Sequence, residues 1–226
     1  MIAERWGISR TELDEFSLGS HAKAAAAQDQ GAFKGQIVPV TTSEGTVTSD
    51  QGIRRGGTLE KMASLVPAFR PDGVVTAGNA SQITDGSAAL LIMGSDTAAG
   101  LGLTPIAAID TVAVVGSEPM PMLTGPIPAT EKLLARKGIG IDDVGTFEVN
   151  EAFASVVLAW LKETKADPER VNPNGGAIAL GHPLGGSGAR LMTTMVHDMR
   201  ERSLQYGLQV MCEGGGQANA TLIRLL

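Results

Sequence analysis

Three short stretches of this chain hold side chains suited to proton transfer or to stabilising negative charge. They are Asn150-Glu151-Ala152-Phe153; Asn174 through Gly181-His182-Pro183 with Gly185-Gly186-Ser187-Gly188 behind it; and Cys212-Glu213-Gly214-Gly215-Gly216. Glycines at this density let backbone approach a ligand closely, and Gly214 offers an N–H that no side chain screens. His182, fixed between Gly181 and Pro183, has a defined orientation for general acid/base work. Cys212 is the only cysteine, and an ordinary thiol, with a pKa of about 8.5, needs help from its surroundings to act as a base. Each stretch taken singly also has a commonplace reading. Asn150 reads as an N-cap, His182 as a loop residue at the surface, and Cys212 as a small buried apolar side chain. His21 and His197 fall on expected helices and read as structural or solvated.

The elements that must position these loops follow from local signals. Ser9 with Glu12 three residues later makes a capping box, stapled by Ile8 and Leu13, and Gly31 supplies the stop. A strand is expected over Gln36 to Val40, then an irregular excursion over 41–70. Val74-Val75-Thr76 reads as a short strand and Thr84-Asp85-Gly86 as a turn. The apolar run Ser87 to Met93 reads as a buried strand, and Ser95-Asp96 as the cap of a helix ending near Gly100. From Pro105 the order alternates. A strand over Ile106 to Val115 precedes a helix over Ile127 to Arg136, and a strand over Gly145 to Val149 leads into a helix from about Glu151 to Lys162. The glycine-rich loop 174–188 opens a helix to about Arg202, and Leu208 to Cys212 and Gln217 to Leu225 form a closing hairpin. That order predicts an α/β layered fold: a mixed five-stranded sheet with helices on both faces. The lone strand–helix pair near 87–100 cannot bury both faces of a sheet and needs strands from elsewhere.

Composition narrows the class. The chain has 226 residues, 43% hydrophobic and 19% charged, as core-forming proteins have. A net charge of −6, 4% aromatics and no run of Lys or Arg leave no electrostatic footprint or stacking surface for nucleic acid. No apolar stretch reaches the ~20 residues that span a bilayer, so no membrane contact is expected. The first ten residues lack the layout of a secretory signal. With one cysteine there is neither an internal disulfide nor a cysteine zinc cluster, and no metal site is expected. A cytoplasmic protein fits these facts.

In this order the three loops outweigh their separate readings. Asn150-Glu151-Ala152-Phe153-Ala154, then Gly175 through Pro183 with Gly188-Ala189-Arg190, then Cys212-x-Gly214-Gly215-Gly216 closely resemble the thiolase motifs. Ile53-Arg54-Arg55-Gly56, Thr76 through Ser81 and Gly125-Pro126-Ile127-Pro128-Ala129 match as well, so the likeness covers essentially the whole chain. The ending from Cys212 to Thr221 looks most like that of bacterial degradative acetyl-CoA acyltransferases, a group extending to actinobacterial members with bulky acyl groups.

The resemblance implies a mechanism. In thiolases a cysteine in the amino-terminal half takes the acyl group as a thioester. His182 would activate it and, with a water held by Asn150, donate to the thioester oxygen. Cys212 would move protons to and from the α-carbon or CoA, and the Gly214 N–H would form half of a second oxyanion hole. Ser81 matches a serine that contacts the pantetheine arm and Arg54 an arginine near the adenosine phosphates; Arg55 stands where the family often has His, which leaves the two arginines open. Met122 and Phe153 would line the acyl and pantetheine channel, although Met122 reads equally as core. Coenzyme A or acyl-CoA is then a substrate, with no cofactor bound permanently. On the same mapping residues 1–82 belong to a loop domain, 83–102 are the last strand and helix of the first half, and 103–226 are the complete second half. The nucleophilic cysteine is not among these residues. Three accounts are compatible with that: a fragment inactive alone, a subunit completed by a separate polypeptide or a homo-oligomer, and a binding module for CoA or lipid. A ketoacyl synthase cousin would carry catalytic histidines where Asn150 and Cys212 stand.

Overall fold

The computed structural model describes residues 1–226, and its first elements obey their local signals. A one-turn helix α1 (Ile2–Arg5) leads to α2 (Arg10–Gln30), whose N-cap is Ser9 in a reciprocal capping box with Glu12 and whose C-cap is Gly31 in the left-handed conformation. From Ala107 onward strand and helix alternate: β3 (Ala107–Gly116), α5 (Pro126–Lys137), β4 (Thr146–Val149), α6 (Ala154–Thr164), α7 (Ala177–Leu180), α8 (Ser187–Glu201), β5 (Tyr206–Glu213) and β6 (Gln217–Leu225). Between these blocks lie β1 (Val40–Thr42), β2 (Gly45–Val47), α3 (Leu59–Ala63) and α4 (Ser95–Gly100).

The sheet order is β3-β6-β5-β4, with β4 parallel to β5 and the other pairs antiparallel. Side-chain alternation gives it two distinct faces. Phe147, Val149, Leu208, Val210, Ala218, Ala220 and Leu222 meet Ala129, Leu133, Val157 and Trp160 of α5 and α6 in one apolar core. The Trp160 indole packs edge-on to Phe147, with centroids 5.4 Å apart, and satisfies its N–H on Thr130 Oγ1 at 2.8 Å. On the opposite face α8 lies over β4 and β5, with Met195 and Met199 against Ile223. A second cluster joins Ala3, Ile8 and Leu13 to Ala154, Ala159 and Ile178, so the amino-terminal helices brace the loops on either side of α6.

Several expected elements differ. The sheet has four strands; the fifth is reduced to one bridge, Val171 parallel to Phe147, because Asn172 turns its side chain back to hold both the N–H and the C=O of Val149. Ser87 to Met93 is not a strand: no strand of the chain runs alongside it, and Leu91 stands 81% exposed. Gln36 to Val40 is likewise unpaired until Val40, where the β1–β2 hairpin begins inside the segment expected to be irregular, as does α3. Val74 to Thr76 contributes only the bridge between Thr76 and Pro67. Helix α4 is capped by Gly94, not by Ser95-Asp96, and Asn150 is not an N-cap, since α6 begins four residues later behind Phe153. No helix is long and apolar enough to cross a membrane.

Candidate active site

Asn150 leaves the end of β4 with its backbone N–H on Val210 O at 3.0 Å, which fixes it beside the strand that carries Cys212. Its amide nitrogen lies 3.5 Å from His182 Nε2 and 3.9 Å from Cys212 Sγ. One buried amide thus touches both the imidazole and the thiol, which come from loops 32 and 62 residues further along the chain.

The neighbouring Glu151 builds the floor. Its buried carboxylate accepts from Ser20 Oγ at 2.7 Å, Asn172 Nδ2 at 2.8 Å and the Ile178 N–H at 3.1 Å. It thereby ties α2, the Val171–Asn172 segment and α7 to the end of β4. Glycine is obligatory opposite it: a Cβ on Gly176 would sit 2.1 Å from the Glu151 carboxyl carbon. The His182 loop is clamped from the other side. Gln82 O accepts the His182 N–H at 2.9 Å, while Gln82 Nε2 donates to Ile178 O and Gly52 O. Gly181 adopts a φ of +86°, and a Cβ there would meet Thr84 Oγ1 at 2.3 Å. Behind the ring, Ser187 Oγ lies 2.6 Å from Nδ1.

Electrostatics assign the resting states. Burial, and then the Arg190 guanidinium, hold His182 below the usual imidazole range, so the ring is neutral near pH 7. Burial pushes the Cys212 thiol up, partly opposed by the Asn150 amide, so the sulfur rests protonated. A neutral imidazole beside a protonated thiol is a base beside an acid. Gly214 lies exposed at the head of the β5–β6 turn, with nothing within 4 Å of where a Cβ would sit.

The remaining residues singled out in the sequence lie apart from this triad. Ser81 pairs through its N–H with Ala152 O at 3.1 Å, two residues from Asn150. Phe153 packs edge-on to Phe69. Met122 sits in the left-handed region (φ 58°) of the loop after β3, which reaches the Cys212 turn through the Ser117 N–H on Gly216 O. Arg54 lines a pocket of about 520 Å³ with Leu18, His21 and Ala25, while its backbone N–H donates to His21 Nδ1. Arg55 is engaged: its guanidinium makes two 2.8 Å bonds to Asp29, and the Arg54 guanidinium makes none. Ser187, Gln82 and the Glu151 contacts escape sequence reasoning, except that Ser187 follows His182 by five residues at a helix start, a spacing that can return a hydroxyl to the ring.

A layered sheet whose end gathers an amide, an imidazole and a thiol with a glycine turn defines a thiolase-type acyl-transfer site, and the comparisons agree. The family model of the thiolase C-terminal domain matches residues 103–225 and that of the thiolase N-terminal domain residues 1–96. This chain belongs to the thiolase family. It is 51% identical over 226 residues to the steroid 3-ketoacyl-CoA thiolase FadA6 of Mycobacterium tuberculosis, covering 100% of this chain and 55% of that protein. It is 47% identical over 223 residues to an acetyl-CoA acetyltransferase of Paracoccus denitrificans, covering 97% and 57%. The crystal structure of the Bacillus anthracis acetyl-CoA acetyltransferase superposes with a TM-score of 0.95 at 42% identity, over 100% of this chain and 58% of that one. The human mitochondrial 3-ketoacyl-CoA thiolase in complex with CoA gives 0.93 at 38%, over 100% and 57%. The chain therefore spans little more than half the length of these relatives.

Proposed function

We propose that this chain supplies the acid/base and oxyanion-stabilising groups of a thiolase reaction, thiolytic cleavage of a 3-ketoacyl-CoA or its reverse, the Claisen condensation of acetyl-CoA. The observation that carries this reading is the single Asn150 amide in reach of both His182 Nε2 and Cys212 Sγ. A thioester α-proton is too weakly acidic for a free thiolate, so donors must stand where enolate charge develops. In the cleavage direction His182 takes the proton of a nucleophilic thiol, whose sulfur attacks the 3-keto carbon. The carbon–carbon bond breaks, and the acetyl-CoA enolate takes the Cys212 proton to leave as acetyl-CoA. A CoA thiol then gives its proton to the Cys212 thiolate and accepts the acyl group, and His182 returns its proton to the freed nucleophile. Cys212 being the only cysteine, the nucleophilic thiol comes from polypeptide outside these 226 residues, in a partner chain or another part of a longer protein.

For the substrate, Arg54 meets the CoA phosphates, a role supported by its unpaired guanidinium beside the engaged Arg55. Ser81 contacts pantetheine, Met122 and Phe153 line its channel, and the Gly214 N–H completes an oxyanion hole shared with the incoming nucleophile. We read residues 1–82 as loop domain, 83–102 as the end of the first half and 103–226 as the second, a division supported by Gly100-Leu101-Gly102 between the two blocks. No cofactor is carried permanently, the assembly is oligomeric, and the compartment is cytoplasmic, on the strength of one unpaired cysteine. CoA or acyl-CoA binding without turnover is the second reading, favoured by that same lone cysteine.

The test is thiolysis of acetoacetyl-CoA by the purified chain, alone and co-expressed with the upstream half of a full-length relative. No turnover is expected alone. Turnover is expected in the complex, falling ~10²–10³-fold for His182→Asn. A complex that forms and binds CoA but stays inactive would favour the second reading. Activity of the chain alone that survives contaminant controls would overturn the need for an outside thiol.

A further inference from the structure

The His182 ring is held at both nitrogens, and counting the protons at each contact determines which nitrogen carries hydrogen. Nδ1 lies 2.6 Å from Ser187 Oγ, and the same Oγ lies 3.0 Å from Pro183 O. A serine hydroxyl has one proton, and a carbonyl oxygen is only an acceptor. Were that proton directed at His182, two oxygens with facing lone pairs would stand 3.0 Å apart in a fully buried place. The proton therefore belongs on Pro183 O, the usual return of a helical serine to the carbonyl four residues back. Toward the ring Ser187 has only lone pairs, so Nδ1 must donate to it.

At the other nitrogen the Asn150 amide N–H group faces Nε2 at 3.5 Å, a donor opposite a lone pair. Both contacts agree on one form of the neutral ring. We propose that Ser187 is a positioning residue that locks His182 in the Nδ1–H tautomer, so that Nε2 meets an incoming thiol as a proton acceptor. The ring then becomes a hydrogen-bond donor at Nε2 only after it has taken that proton. Oxyanion stabilisation by His182 is thus switched on by activation of the nucleophile, and an unactivated site leaves a bound thioester without this donor. The chemistry assigned to the thiol rests on the thiolase reading; the tautomer does not.

The experiment labels the histidines of the intact chain with ¹⁵N and reads long-range ¹H–¹⁵N correlations at neutral pH without substrate. His182→Gln identifies the His182 signals. The expected pattern is a protonated, pyrrole-type Nδ1 and an unprotonated, pyridine-type Nε2 in one dominant form. Ser187→Ala should convert it to a mixture of both tautomers, and Ser187→Thr, which keeps the hydroxyl, should restore the single form. A wild-type ring protonated at Nε2 would overturn the proposal and would mean that Asn150 turns its oxygen to the ring. So would an unchanged tautomer in a folded Ser187→Ala chain. Since the wild-type spectrum alone decides, no outcome depends on a variant folding, and failure of the lock is separable from failure of catalysis.

Discussion

Cys212 and Asn150 make a pair whose chemistry can be read without substrate. Burial raises the thiol, and the amide bond at 3.9 Å acts in the opposite sense by favouring thiolate. Alkylation of Cys212 by a small reagent, followed by mass spectrometry against pH, should therefore rise at higher pH than for an ordinary exposed thiol. In Asn150→Ala the midpoint should move further up, so that the rate at a fixed pH below it falls a few-fold. The midpoint separates ionisation from access, which changes only the limiting rate. A midpoint that moves down would show the amide to be irrelevant to the thiol. The motif residues themselves were legible in the sequence, because Asn150, His182 and Cys212 stand in glycine-rich loops at element ends. Ser20 and Gln82 were not, since Ser20 lies 131 residues from Glu151 and Gln82 lies 96 residues from Ile178, and no local pattern links them.

At the level of elements the site depends on close approaches and on one awkward strand residue. Gly176→Ala drives a methyl into the Glu151 carboxyl, which is held by three bonds and cannot retreat. A loss of roughly 2–3 kcal/mol is expected from such overpacking, checked by chemical denaturation. Glu148 on β4 points to the α8 face with both oxygens buried and without a donor. Burial raises its pKa from an ordinary 4.5 to about 8, with Arg190 and Lys23 opposing and Glu151 and Asp198 adding to the rise. A raised folded pKa means that the native state binds the extra proton between those values. Its contribution is thus fully present below pH 4.5 and lost as pH rises through about 8. Glu148→Gln, which mimics the protonated form, should lessen the fall in stability between pH 5 and 8 and leave the variant a few kcal/mol more stable at pH 8. An equal fall in both proteins would refute this. Helix α2 was readable to its caps because capping is local. The segment 87–93 was misread because a strand needs a neighbour, and apolar composition alone supplies none.

For the whole molecule the two faces of the sheet are unequally covered. Helices α5 and α6 span one face, whereas α8 lies over β4 and β5 on the other and leaves Val112 and Val114 of β3 exposed, Val114 by 60%. Strand β3 is also a sheet edge, ten residues long, with one side of its backbone unpaired. Ile83, Leu91 and Ile92 add apolar surface from a segment that belongs to no sheet. Patches and edges of this kind associate in water, because apolar burial and ladder hydrogen bonds are both on offer. The chain alone should therefore self-associate at micromolar concentration, as read by size-exclusion chromatography with light scattering. A bound upstream thiolase half should suppress that association, because such a half would cover the same surface while bringing the second thiol. If the chain runs as a monomer with these side chains in water, the bare face is no docking surface. The outside thiol would then have to reach His182 by another route.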